Sequence, residues 1–157
     1  MTEPEFRLEA FLPYRLSVLA NRLSRRFARE YQAEFGISIH EWRAVAILGA
    51  HRRNGAGLSV WEIADRAAMD RVAVSRAVAL LSAKKLVAKS AHGDDGRLVD
   101  ISLTAAGIDL FDRISARGRA LEAGLLRHLD DPASAEAAIS GLEQAVERFL
   151  APGGHED

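Results

Sequence analysis

The chain has 157 residues, with 21 Lys and Arg against 22 Asp and Glu, a net charge of −1 and no cysteine. Such a length can bury one good core, and zero cysteine excludes disulfides, thiolate nucleophiles, Cys-ligated zinc and thiol-based peroxide sensing. No apolar run approaches the ~20 residues that span a bilayer, and the start lacks a basic segment followed by an apolar one, so a soluble, cytoplasmic protein is expected.

In chain order, Pro13 suits the first turn of a helix that runs to about Phe35. Leu12, Leu16, Leu19, Leu23 and Phe27 recur every three or four residues and make one apolar stripe. Gly36 is suited to the left-handed position that ends such a helix. A second helix is expected over 39–50, with Trp42, Val45 or Ala46, and Leu48 facing inward, followed by a loop over 53–57. Ser59-Val60-Trp61-Glu62 reads as a capping box, in which serine and glutamate satisfy each other's backbone N–H groups, opening a short helix over 60–67. Trp61, Ile63 and Ala64 are available there for packing. Trp42 and Trp61 both lie on apolar faces and are expected in the core rather than as ligand platforms.

Ala67-Ala68-Met69 forms a tight turn, and Asp70 is a good N-cap for a helix over 71–84. Val74, Val78 and Leu81 mark its inner face, whereas Val72, Ser75, Arg76 and Ala79 point the other way. The period then changes to that of strands over 86–91 and 98–103, joined by the Gly/Asp-rich tip His92-Gly93-Asp94-Asp95-Gly96. Thr104 caps a long helix with a Phe111, Ile114, Leu121, Leu125 and Leu129 stripe. Asp131-Pro132 starts a last helix that carries Ile139, Leu142, Val146 and Phe149 on one side. Residues 153–157 are expected to be disordered.

Charge is not spread evenly along these elements. Residues 1–58 hold 9 basic and 6 acidic groups, residues 59–103 hold 7 and 6, and residues 104–157 hold 5 and 10. Residues 71–93 contain Arg71, Arg76, Lys84, Lys85 and Lys89 without a carboxylate. The net charge of −1 therefore does not exclude a local nucleic-acid surface.

Two short helices across a tight turn, then a hairpin, make a winged helix-turn-helix, in which the second helix enters the DNA major groove. The small residues of its outer face permit close approach, and Arg76 can reach a guanine edge or a phosphate. Arg97 on the wing can enter a narrow, negative minor groove. The expected DNA contacts are Arg71, Val72, Ser75, Arg76, Lys89 and Arg97, with Asp95 supporting the wing rather than touching DNA. The five histidines show no metal-ligand spacing, and Ser75 has neither the sequence context nor a nearby base for nucleophilic catalysis. No metal, no cofactor and no catalytic activity are expected.

Four segments then carry a resemblance to the MarR family of bacterial transcription regulators. They are Leu58-Ser59-Val60-Trp61-Glu62-Ile63-Ala64, Ser75-Arg76, Leu86-Val87, and Asp95-Gly96-Arg97 leading to Ile101-Ser102-Leu103-Thr104. The resemblance covers nearly the whole chain. It implies a single domain over 1–157, mainly α with a small β-hairpin wing. Residues of about 38–104 would form the winged helix-turn-helix, flanked by dimerisation helices over about 10–36 and 105–150. It also implies a homodimer whose two winged domains read a pseudo-palindromic double-stranded operator, acting as a repressor released by a small effector, with no membrane partner. Three positions depart from the family: Ala68 and Lys85 stand where glycine is common, and Ser90 replaces a common wing arginine. A left-handed residue at Lys85 is mildly strained. The alternative is a winged-helix protein-interaction module without sequence-specific DNA binding.

Arg15, Arg22, Arg26 and Arg29 recur on the first helix as a basic stripe, with Arg25 beside them. One reading is a solvated face paired with acidic groups of the last helix, such as Glu143 and Glu147. The other is an anion site, with Arg15, Arg22 and Arg26 holding the carboxylate of an aromatic acid or the phosphates of a CoA thioester.

Overall fold

The computed structural model describes residues 6–52, 57–92 and 95–151, with the backbone alone at 92 and 95–98. The expected 53–57 loop, apart from Gly57, the hairpin tip at 93–94 and the chain end beyond 151 lie outside the described residues. A 3-10 turn, Leu8–Ala10, precedes α1 (Leu12–Phe35), α2 (Ile39–His51), α3 (Val60–Ala67) and α4 (Arg71–Ala83). The antiparallel hairpin β1 (Val87–His92) and β2 (Asp95–Leu103) follows, then α5 (Ala105–Leu126) and α6 (Pro132–Leu150). The chain divides into two compact units, residues 1–116 and 117–157.

In the first unit, local chemistry sets nearly every boundary. Gly36 ends α1 with φ +64°, a conformation that costs glycine little. Ser38 and Glu41 form a capping box at the start of α2, the same reciprocal arrangement that Ser59 and Glu62 form at α3. Asp70 accepts from the Val72 and Ala73 N–H groups at 2.8 and 3.2 Å. Thr104 Oγ1 accepts from Gly107 N at 3.1 Å and donates to the Lys85 carbonyl at 2.8 Å, so one side chain starts α5 and fastens the end of α4.

Both ends of the α3–α4 pair close in the same way. After α3 the Met69 N–H reaches Ala64 O and the Ala68 N–H reaches Asp65 O. After α4 the Leu86 N–H reaches Leu81 O and the Lys85 N–H reaches Ser82 O. These are Schellman closures, with Ala68 (φ 48°) and Lys85 (φ 59°) in the left-handed position that favours glycine. They are two of the positions at which the chain departs from the family.

The core is built from Ala44, Val45 and Leu48 of α2, Ile63 and Ala64 of α3, and Val74, Val78 and Leu81 of α4, closed by Leu58, Val87 and Ile101. A second cluster joins Ala28 and Tyr31 of α1 to Ile37 and to Leu110 and Ile114 of α5. Trp42 bridges the two, between Tyr31 and Phe111 at 5.9 and 6.2 Å between ring centres. Leu58 pairs with Ile101 through two backbone hydrogen bonds of 2.9 and 3.0 Å, adding a third short strand segment to the hairpin. Gly57 permits that approach, since a Cβ there would lie 2.8 Å from Asp100 Cβ and 2.9 Å from Ile101 O.

Two expectations are corrected. Trp61 is not in the core: it is 54% exposed. Val60, Ile63, Ala64 and Ala67 share the inward face of α3, and Trp61 falls about 100° away from Val60 on the helical period. The second strand also begins earlier than expected, because pairing continues past an irregularity at Ala91/His92 to place His92 opposite Asp95. In the second unit, Asp131 caps α6 by accepting from Ala133 N and Ser134 N at 3.1 and 3.2 Å, as its sequence suggests. Ile139, Val146 and Phe149 on this helix are 54, 50 and 61% exposed.

Candidate nucleic-acid interface

Helix α4 has two faces of opposite character. Val74, Ala77, Val78 and Leu81 are buried, whereas Arg71, Val72, Ser75, Arg76 and Ala79 are exposed. The buried face fixes the helix against α2 and α3, and the outer face presents small side chains around one guanidinium. Arg71 occupies the first turn. Among the described residues neither Arg71 nor Arg76 forms an ion pair with a carboxylate, so both charges are available to a phosphate or a base edge. The Asp70 carboxylate beside them is engaged with the helix N-terminus.

On the hairpin, Lys89 is exposed on β1 opposite Ile101. Asp95 and Arg97 lie on the β2 backbone, and their side chains fall outside the described residues. The helix residues and Lys89 therefore belong to adjoining elements of one helix-turn-helix-hairpin unit.

Two side chains depart from the sequence reading in ways that matter here. Trp61 lines a recess of about 420 Å³ at the helix-turn-helix corner with Asp65, Met69 and Arg71, so an indole stands beside the first charge of α4. Lys84, one of the cations of the carboxylate-free 71–93 run, is held by Glu41 at 2.7 Å and by the Gly36 carbonyl at 2.8 Å. The segment is carboxylate-free in sequence but not in space. Burial pushes the Glu41 carboxyl up, but hydrogen bonds from Lys84, the Ser38 backbone and the Ser38 hydroxyl, with the Lys84 charge, outweigh it and hold the group below its ordinary range.

The arginines of α1 separate into different surroundings. Arg15 and Arg22 line an open groove of about 570 Å³ with Glu9, Leu12, Tyr14, Leu16 and Leu19. Arg26 pairs with Glu30 at 2.6 Å on its own helix, and Arg29 is exposed. Arg25 instead joins Arg43 and His40 of α2, with Asn21 and Ser24, around a cavity of about 270 Å³. The sequence sets Arg25 beside the stripe and gives no sign of Arg43, since only the packing of α1 on α2 brings them together. Among the described residues no group of three or more His, Asp or Glu side chains is placed to hold a metal ion. Among them, too, no helix is long and apolar enough to cross a membrane.

Residues 35–98, which contain the whole helix-turn-helix and most of the hairpin, match the MarR family model. A MarR-family transcriptional regulator from Silicibacter pomeroyi superposes with a TM-score of 0.74 at 25% identity, covering 98% of this chain and 99% of that one. A MarR/EmrR family transcriptional regulator from Acinetobacter sp. ADP1 gives 0.75 at 28% identity, over 91 and 99%. The S. aureus MepR–DNA complex has the same fold, with a TM-score of 0.73 at 20% identity over 90 and 99%. No curated protein matches the chain in sequence. The segment that holds α3, α4 and most of the hairpin thus matches the MarR family model, and over nearly its full length the chain has the fold of solved MarR-family transcriptional regulators.

Proposed function

We propose that the chain is a sequence-specific DNA-binding repressor that acts as a cytoplasmic homodimer and is released by a small anionic ligand. The observation that carries this reading is the two-faced α4, anchored through Val74, Val78 and Leu81 while Val72, Ser75, Arg76 and Ala79 face outward. In this reading α4 lies in the major groove, Arg76 takes a guanine edge or phosphate, Arg71 and Lys89 take phosphates, and Arg97 takes the minor groove with Asp95 supporting it. MepR of S. aureus and MosR of M. tuberculosis, which share the fold, have been solved with DNA.

Dimerisation by residues of about 10–36 and 105–150 is supported by the apolar side chains left exposed. Leu12, Leu16 and Leu19 of α1 are 39–56% exposed, and Ile139, Val146, Phe149 and Leu150 of α6 are 50–72% exposed. Apolar surface of that kind on two terminal helices suits burial against a second copy. For the ligand, the Arg15–Arg22 groove offers two guanidinium groups beside apolar walls, the chemistry that an aromatic carboxylate or CoA thioester requires; Arg26, the third arginine of the anion-site reading, is outside that lining and pairs with Glu30.

A gel shift with DNA flanking the chain's own coding sequence, in excess random competitor, tests the central part. A competitor-resistant shifted species is expected. Loss of all binding under competitor would point to the protein-interaction alternative. Titration of that complex with benzoate-like acids and their CoA thioesters tests the ligand, and no release by any of them removes it.

A further inference from the structure

We propose that Lys84 is a positioning residue that makes the placement of the recognition helix follow the end of α1. Lys84 closes α4, and its ammonium donates to two groups far away in sequence. One is the carbonyl of Gly36, the left-handed residue ending α1, at 2.8 Å; the other is Glu41 Oε1 of α2 at 2.7 Å. The second Glu41 oxygen accepts from Ser38 N at 2.8 Å, so both carboxylate oxygens are committed. One ammonium thereby ties together the end of α1, the start of α2 and the end of α4. Among the described residues it makes the one side-chain hydrogen bond from α4 to the end of α1.

The chemistry is not what stability alone would select. Glu41 is 3% exposed and is the one buried polar or charged side chain among the described residues. Desolvating a carboxylate is costly, and a well-packed apolar side chain would hold the helices together at least as firmly. An ion pair with two fixed hydrogen bonds supplies direction instead. Apolar surfaces tolerate sliding, whereas donors set at both Gly36 O and Glu41 Oε1 specify where the end of α4 stands. Its neighbour Lys85 is held as well, through the Thr104 hydroxyl on its carbonyl. The C-terminal end of α4 is thus pinned from two sides while its outer face stays free.

The consequence for DNA reading rests on the proposed function above; the link between α1 and α4 does not. The chain has no cysteine, so Gln32→Cys on α1 and Ala79→Cys on α4, both exposed positions, place one spin-label pair in each chain. Labelled protein diluted with unlabelled protein reports the intrachain α1–α4 distance by pulsed EPR. The expected result is a broader distance distribution with Lys84→Met, a restored one with Lys84→Arg, and operator affinity lowered by roughly three- to thirtyfold in Lys84→Met. Should Lys84→Met fail to fold, Lys84→Gln, which keeps a neutral donor, takes its place with the same expectation. An unchanged distribution overturns the link. A broadened distribution with unchanged operator affinity overturns the positioning role in recognition. If the parent protein binds no operator at all, the DNA reading fails, and the EPR widths still decide whether Lys84 holds α4 to α1.

Discussion

Replacing Ala68 and Lys85 together by glycine is expected to stabilise the protein, against the usual effect of introducing glycine. Both residues sit in the left-handed region, at φ 48° and 59°. A side chain there crowds the following carbonyl at a cost of roughly 1–2 kcal/mol per residue. Glycine removes that cost but gives the unfolded chain more freedom, which takes back about 0.4–1 kcal/mol per site. Nothing else is lost at Lys85, because the Thr104 hydrogen bond is to its backbone carbonyl. The net gain is about 0.5–1 kcal/mol per site, or about 1–2 kcal/mol for the pair if the sites are independent. In a chain of this size that raises the melting temperature by about 2–8 °C. Urea unfolding at fixed protein concentration measures it, with Ala83→Gly as the control. That residue closes the regular part of α4, where glycine should cost up to about 1 kcal/mol. If the double variant loses stability as the control does, the left-handed assignment at these turns is refuted.

Other consequences follow from single groups. Glu41 has a folded pKa held below its ordinary value, so its contribution is complete above about pH 4.5 and is lost as pH falls through the folded value. Urea midpoints taken at neutral and acid pH should show that loss in the parent and a smaller loss in Glu41→Gln; equal losses would exclude this carboxylate as a source. A Cβ at Gly107 would run into the backbone carbonyl of Leu86, so Gly107→Ala should lower stability by about 1–3 kcal/mol, seen as a reduced melting temperature. Trp61 is exposed while Trp42 lies between Tyr31 and Phe111. Acrylamide should therefore quench a Trp42→Phe variant more strongly than a Trp61→Phe variant, and the reverse order would contradict the described packing.

What the sequence made legible was mostly local chemistry. The Ser59–Glu62 box, the Asp70 and Asp131 caps, the Thr104 start of α5 and the Gly36 stop each rest on groups within a few residues of one another, and each stands where expected. The left-handed conformation at Lys85 was legible only through the family resemblance, which puts a common glycine at that position. The Ser38–Glu41 box carries the same spacing signal and could have been read in the same way. What stayed hidden needed the third dimension. Glu41 and Lys84 are 43 residues apart, and only the packing of α4 on α2 brings this cation of the 71–93 run onto a carboxylate. Trp61 was misplaced because it was assigned to an apolar face, whereas Val60, Ile63, Ala64 and Ala67 already fill the inward face of this short helix. Arg25 and Arg43 converge on one cavity only through the packing of α1 on α2.

The central claim is that α4 and the wing read DNA, and the most direct measurement is fluorescence anisotropy at low salt on an operator duplex. The parent, Arg76→Ala and Arg97→Ala should be compared there, with melting temperatures showing that all three are folded. Each substitution is expected to weaken binding, and each phosphate contact removed should reduce the salt dependence by about one charge. Two folded variants that bind as tightly as the parent would contradict the assignment of α4 and the wing to DNA.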